Sequence, residues 1–254
     1  MCRVNERVIA AALAMLWLGA VYTFGSEPKT FESGNTQNLL IELFTSEGCS
    51  SCPPAEKWLS GFKSNPDLWK KTVPVAFHVD YWNHLGWHDR FSKAEFSQRQ
   101  PRYAARWGGD SVYTPGFVVN GKEWRDWFSR NALPPSSKTV GNLRVTLSEG
   151  EKLHATFVPE STQPHDPVLS VALLGNDLES DVKRGENTGR KLRHDFTVLS
   201  LAKTDMVHDG NRWTGSIPSQ NHPAMTNPAR WRHGSQRTRY QFRRPVARFV
   251  SRRG

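Results

Sequence analysis

The chain has 254 residues, 37% of them hydrophobic and 11% aromatic, enough apolar material for one large or two small cores, which excludes a disordered chain. Its formal charge of +10 suggests a nucleic-acid footprint until the charge is located. Nine arginines and no acidic residue lie between Asn221 and Gly254, leaving about +1 for the rest, so the folded body carries no basic signature of a nucleic-acid partner.

Taken in chain order, residues 1–25 read as an export signal. Arg3 and Arg7 flank a polar start, and Val8 to Val21 is unbroken apolar but shorter than the roughly 20 residues a membrane span needs. Cleavage would remove Cys2 and leave Cys49 and Cys52 as a single pair in an oxidising compartment, periplasmic or secreted. A membrane would be met only through an uncleaved signal or the basic tail. After a polar linker, Leu39 to Phe44 reads as a buried strand. Cys49 then opens a helix, with Pro53 and Pro54 tolerable only in its first turn and Trp58, Leu59 and Phe62 at helical spacing. Val73 to Trp82 reads as a second strand, and Ser92 to Trp107 as a helix broken or bent by Pro101. Tyr113-Thr114-Pro115 leads into a short strand, Gly116 to Val119, and the turn pair Asn120-Gly121. Beyond Pro134 the texture changes. Leu143 to Leu147, Leu153 to Val158, Val168 to Leu174 and Phe196 to Leu201 read as short strands of an appended β domain. The expected division is therefore an α/β domain over 38–135, a β-rich domain over 140–218, and a basic, disordered tail over 221–254.

A strand running into Cys49-Ser50-Ser51-Cys52 at the mouth of a helix suits thiol chemistry, because unpaired N–H groups and the helix dipole favour a thiolate at the first cysteine. On this reading Cys49 faces outward as nucleophile and Cys52 resolves the mixed disulfide, with no cofactor beyond the redox-active pair itself. A structural staple and half of a zinc site are the alternatives. A staple closing so short a loop gains little entropy, and a zinc site wants further well-spaced ligands.

Glu42 to Pro54, ELFTSEGCSSCPP, together with His78 to Trp82, Leu85-Gly86-Trp87 and Tyr113-Thr114-Pro115, resembles the exported bacterial family known as domain of unknown function 1223. The likeness runs from about Leu39 to Gly215. It implies a thioredoxin-like α/β fold with a C-terminal β-rich extension, and leaves the activity undefined. Thr114 and Pro115 resemble the threonine and cis-proline that face the cysteines in such folds, which with Trp82 makes them candidate substrate contacts. Glu42 resembles a buried acid that moves protons during exchange, although a plain ion-paired or edge-exposed glutamate explains it equally well.

His78, Asp80, His84, His88 and Asp89 crowd into a dozen residues. Cys49, Cys52, His78 and His84 are the candidate ligands of a copper or zinc site, but no spacing here matches a strong ligand motif, and a polar loop rim accounts for them. Gly185 to Arg190 reads as a structural turn braced by a Glu186–Arg190 ion pair. The expected function is extracytoplasmic thiol–disulfide exchange with a protein or small thiol substrate. A metal chaperone and a non-enzymatic secreted interaction protein are the competing expectations.

Overall fold

The computed structural model describes residues 28–129, 132–147, 152–162 and 166–218, and the backbone of Val246–Ser251. The expected export signal and most of the basic tail lie outside them. Among the described residues no helix is long and apolar enough to cross a membrane.

Strand β1 spans Lys29–Glu32 and β2 spans Leu39–Thr45, followed by helix α1, Cys52–Ser60, and strand β3, Thr72–His78. β2 and β3 run parallel from Leu39 opposite Thr72 to Thr45 opposite His78, so β2, α1 and β3 make a crossover unit. The run Leu-Leu-Ile-Glu-Leu-Phe lacks alternation because both faces of β2 are covered. Ile41 and Leu43 pack with Ala55 and Leu59 of α1, while Leu40 and Phe44 pack with Phe96 and Tyr103 on the opposite face.

Phe96 and Tyr103 come from helices α2, Ala94–Ser97, and α3, Arg99–Arg106. The helix expected over 92–107, broken or bent by Pro101, is broken into two. In an unbroken helix the ring of Pro101 would clash with the carbonyl of Ser97, and α2 ends at Ser97; Pro101 then lies in the first turn of α3, where it is harmless. Strand β3 likewise stops at His78 instead of reaching Trp82, because Asp80 to Leu85 folds into turns.

Strand β4, Gly116–Val119, lies antiparallel to β2 and is joined to β5, Lys122–Glu123, by Asn120 and Gly121. Both turn residues have positive φ, 47° and 82°, the twist that a two-residue hairpin between right-twisted strands requires.

The remaining strands are β6 (Gly141–Leu147), β7 (Lys152–Pro159), β8 (Pro167–Gly175), β9 (Leu178–Asp181), β10 (Lys191–His194), β11 (Thr197–Asp205), β12 (Val207–Asp209) and β13 (Arg212–Pro218). The expected boundary near residue 140 is corrected here. β8 and β11 do not belong to a separate domain: β11 joins β3, and the main sheet runs β8-β11-β3-β2-β4-β5. The reason is β3, whose second edge would otherwise present unpaired backbone groups beside a buried core. Only β1, β6, β7, β13 and β12 form a second sheet, and β1 reaches it from before residue 38, within the expected linker. That sheet packs Val145, Leu153 and Phe157 against Leu169 and Val171 of β8. The tail is corrected in part as well: Val246–Ser251 forms β14, antiparallel to β8 on the outer edge of the main sheet. β9 and β10 make a two-stranded ribbon between β8 and β11. It carries residues 182–190 toward the C-terminal ends of β2 and β3.

Candidate functional site

The site gathers where β2 ends and α1 begins. Cys49 and Cys52 form a disulfide with Cα atoms 5.4 Å apart. The turn before it is held by Cys49 N–H on the Ser46 carbonyl (3.2 Å) and Cys52 N–H on the Cys49 carbonyl (3.2 Å). Thr114–Pro115 is a cis peptide, and the Thr114 carbonyl lies 3.8 Å from Cys49 Sγ. The indole N–H of Trp82 donates to Thr114 Oγ1 (2.7 Å), tying the loop after β3 to the cis-proline turn. Gly48 fits only as glycine, because a Cβ there would stand 2.9 Å from Cβ of Trp82. Cys49, Cys52, Trp82, Thr114 and Pro115 are therefore brought together.

Two other expected residues are not. Glu42 points to the face of β2 away from α1, where Arg99 Nε donates to its Oε1 (2.9 Å) and the Tyr103 hydroxyl donates to Oε2. Of its two sequence readings, the geometry gives the ion pair. His84 is exposed, with Nδ1 on the Tyr81 carbonyl (2.7 Å), and takes no part in a ligand cluster among the described residues.

Cys49 does not face outward. It is 1% exposed, and Cys52 is wholly buried. The ribbon loop docks on the backbone of this turn: the Asn187 amide donates to the carbonyls of Glu47 and Cys49 (both 2.9 Å), and Glu186 Oε2 accepts the N–H of Ser50 (2.9 Å). The Glu186–Arg190 brace expected from sequence is replaced by these bonds. Arg190 instead donates to Asn187 Oδ1 (2.6 Å) and so orients the amide. The backbone donors near the thiol are largely spent. Ser50 N–H serves Glu186, Cys52 N–H serves the Cys49 carbonyl, and Pro53 and Pro54 have none. The Ser50 donor, through its backbone and then its side chain, holds the Glu186 carboxyl below its ordinary pKa, so an anion stands beside the place where a Cys49 thiolate would form. Replacing Glu186 with glutamine should therefore lower the Cys49 thiol pKa in the reduced protein. Rates of iodoacetamide alkylation across pH check this, and an unchanged or raised pKa would refute it.

Behind the disulfide lies a buried polar group that sequence reasoning largely missed. Glu56 stands one helical turn after Cys52, with Oε1 accepting from the Thr45 hydroxyl (2.6 Å) and Oε2 lying 2.5 Å from Nδ1 of His194. His194 Nε2 is 3.2 Å from Glu47 Oε1, and the Trp87 indole donates to Glu47 Oε2 (2.6 Å). His78 Nδ1 pairs with Asp89 Oδ2 (2.7 Å), an oxygen that also accepts the N–H of Glu47 (2.9 Å). Glu47, His78, Asp89 and His194 are wholly buried and Glu56 is 6% exposed.

Burial works against the charges of Glu56, His78, Asp89 and His194, yet the partners prevail. Glu56 and Glu47 push His194 up to about 10, and Asp89 raises His78. His194, then His78 and Thr45, lower Glu56; His78, then the N–H groups of Glu47 and Phe91, lower Asp89. The available signals were the i,i+4 spacing of Cys52 and Glu56 and the nearness of Glu47 to Cys49. His194 gave none, because only the β9–β10 ribbon brings it there.

A crystal structure of protein AGR_C_4864 from Agrobacterium tumefaciens is similar to this chain, at 26% identity and TM-score 0.55, over 73% of this chain and 80% of that one. HBP35 of Porphyromonas gingivalis aligns at 16% identity and TM-score 0.46, over 73% and 65%. No curated protein matches the chain. The sequence profile described as Protein of unknown function (DUF1223) matches residues 40–229, and the chain belongs to that family.

Proposed function

We propose that the chain is an exported thiol–disulfide oxidoreductase with a thioredoxin-like fold, working through Cys49 and Cys52. The observation that carries the reading is the cysteine pair at the mouth of α1, facing a cis Thr114–Pro115 peptide whose Thr114 carbonyl lies 3.8 Å from Cys49 Sγ. The parallel β2-α1-β3 crossover and the antiparallel β4 that follows the cis-proline support the fold assignment. The apolar run Val8 to Val21 behind Arg3 and Arg7 supports export to the periplasm or beyond.

In the reducing direction, the Cys49 thiolate attacks one sulfur of a substrate disulfide and the other sulfur leaves as a thiolate. The Cys52 thiolate then attacks Cys49 Sγ, closing the intramolecular disulfide and releasing the second substrate thiolate. Two electrons pass to the substrate, and its thiolates take up protons from solvent. The oxidising direction is the reverse. A protein or small thiol would be the partner, with Thr114, Pro115 and Trp82 lining its approach. Because the oxidised pair is covered, exchange requires the 182–190 loop to lift.

The test is equilibration of the purified chain with glutathione buffers, followed by mass spectrometry of single variants. Cys52→Ser is expected to accumulate a mixed disulfide through Cys49, and Cys49→Ser to accumulate none. Adducts formed mainly through Cys52 would reverse the roles. Wild type that stays oxidised in every buffer, with no adduct in either variant, would make the disulfide a staple.

A further inference from the structure

We propose that Glu56, His78 and His194 form a binding site for a divalent transition cation, zinc first among them, built separately from the cysteine pair. The three side chains come from α1, β3 and the end of β10, and one ligand atom of each lies within 4.8 Å of the others. The hydrogen bonds identify the atoms. His78 Nδ1 is taken by Asp89, which leaves Nε2 as the ligand atom, and Nε2 is buried with no hydrogen-bond partner among the described residues. A buried polar atom left this way costs about 1–3 kcal/mol, a cost that coordination removes.

His194 presents Nδ1 toward Glu56 and sets Nε2 3.2 Å from Glu47 Oε1, near enough to pair as ions but not aligned for a hydrogen bond. Two of the ligands are held by hydrogen bonds from outside: His78 by Asp89 and Glu56 by the Thr45 hydroxyl. An imidazole braced by a carboxylate, as His78 is, has its ring orientation and ligating nitrogen fixed before any metal arrives. Charge permits it: Glu47, Glu56 and Asp89 set three carboxylates against two imidazoles in a space closed to solvent, and a dication that displaces one proton from each ring leaves the net charge of the cluster unchanged. Two nitrogens and one carboxylate oxygen suit zinc and its first-row neighbours, whereas calcium and magnesium want oxygen alone. The cysteines and His84, the ligands expected from sequence, are not part of this cluster.

Because the ligands are buried, the cation enters as the chain folds. The purified full chain is therefore refolded with Zn²⁺ or Co²⁺, passed over a chelating resin, and assayed for retained metal. About one ion per chain is expected, bound to a tetrahedral or five-coordinate site. It is retained when both cysteines are serine, and lost in His78→Ala. The Co²⁺ form should show visible ligand-field bands without a thiolate charge-transfer band.

Asp89→Asn leaves all three ligands in place and should weaken affinity, measured against a competing chelator, by about 10–100-fold. It decides the matter together with the Co²⁺ spectrum where His78→Ala fails to refold. Wild type that refolds fully and retains no metal would overturn the proposal. So would metal lost with the cysteines, a thiolate band, or an Asp89→Asn affinity equal to wild type. None of these readouts depends on thiol exchange, so the site stands or falls apart from the oxidoreductase reading.

Discussion

Replacing Glu42 with alanine is expected to cost about 3–5 kcal/mol of stability, the loss typical of a buried ion pair stripped of one partner. Glu42 is 1% exposed and Arg99 is 16% exposed at the side chain, so the guanidinium left behind has little water to turn to. The Tyr103 hydroxyl loses its acceptor at the same time. Burial works against the Arg99 cation, and it is Glu42 and Tyr103 that keep its pKa above the ordinary value. A paired apolar replacement, Glu42→Leu with Arg99→Met, should recover most of the loss, because it removes both charges from a site lined by Phe44, Phe77 and Tyr103. Urea denaturation of the three proteins measures this.

The same variants separate the two sequence readings of Glu42. It lies on the face of β2 opposite α1, so the double variant should exchange with glutathione at wild-type rate and with an unchanged pH profile. A profile displaced in the folded double variant would restore Glu42 as a proton carrier.

Asn187→Ala is expected to cost about 1–3 kcal/mol and to speed reduction of the disulfide. The amide spans the Glu47 and Cys49 carbonyls, both buried; alanine takes that donor from the Glu47 carbonyl at about 1–3 kcal/mol, while the Cys49 carbonyl keeps the N–H of Cys52. Reduction by dithiothreitol needs the 182–190 loop to open, and each 1.4 kcal/mol removed from that opening speeds it about tenfold. Thr188→Ala is the control. Thr188 is exposed and its hydroxyl donates to the Gly185 carbonyl within the same loop, so its loss should leave the reduction rate near wild type. Equal rates in wild type and Asn187→Ala would show that the loop does not gate the pair.

The strands around the cysteines were legible because their signals are local. An apolar run that ends before Cys49, prolines that tolerate only a first turn, and Asn120-Gly121 between short strands each specify their geometry without distant help. The helix break was half legible, since Pro101 announces a break but not that it falls one turn earlier, at the residue whose carbonyl the ring would strike. The domain boundary failed for the opposite reason. Short strands separated by turns look alike whether they close a separate barrel or join an existing sheet, and only the open edge of β3 assigns β8 and β11 to the latter.

By itself the sequence determined the crossover that carries Cys49 and Cys52 and the confinement of excess charge to the last thirty-odd residues, and family resemblance added the cis-proline candidate facing the pair. Tertiary structure decided what surrounds the pair. His194 reaches Glu56 across 138 residues and Asn187 reaches Cys49 across the same distance, so neither leaves a spacing to read. Both arrive on one ribbon. Its twist and register, set by pairing of Leu178–Asp181 with Lys191–His194, turn an unremarkable glycine-rich loop into a cover and a solitary histidine into the partner of two buried carboxylates.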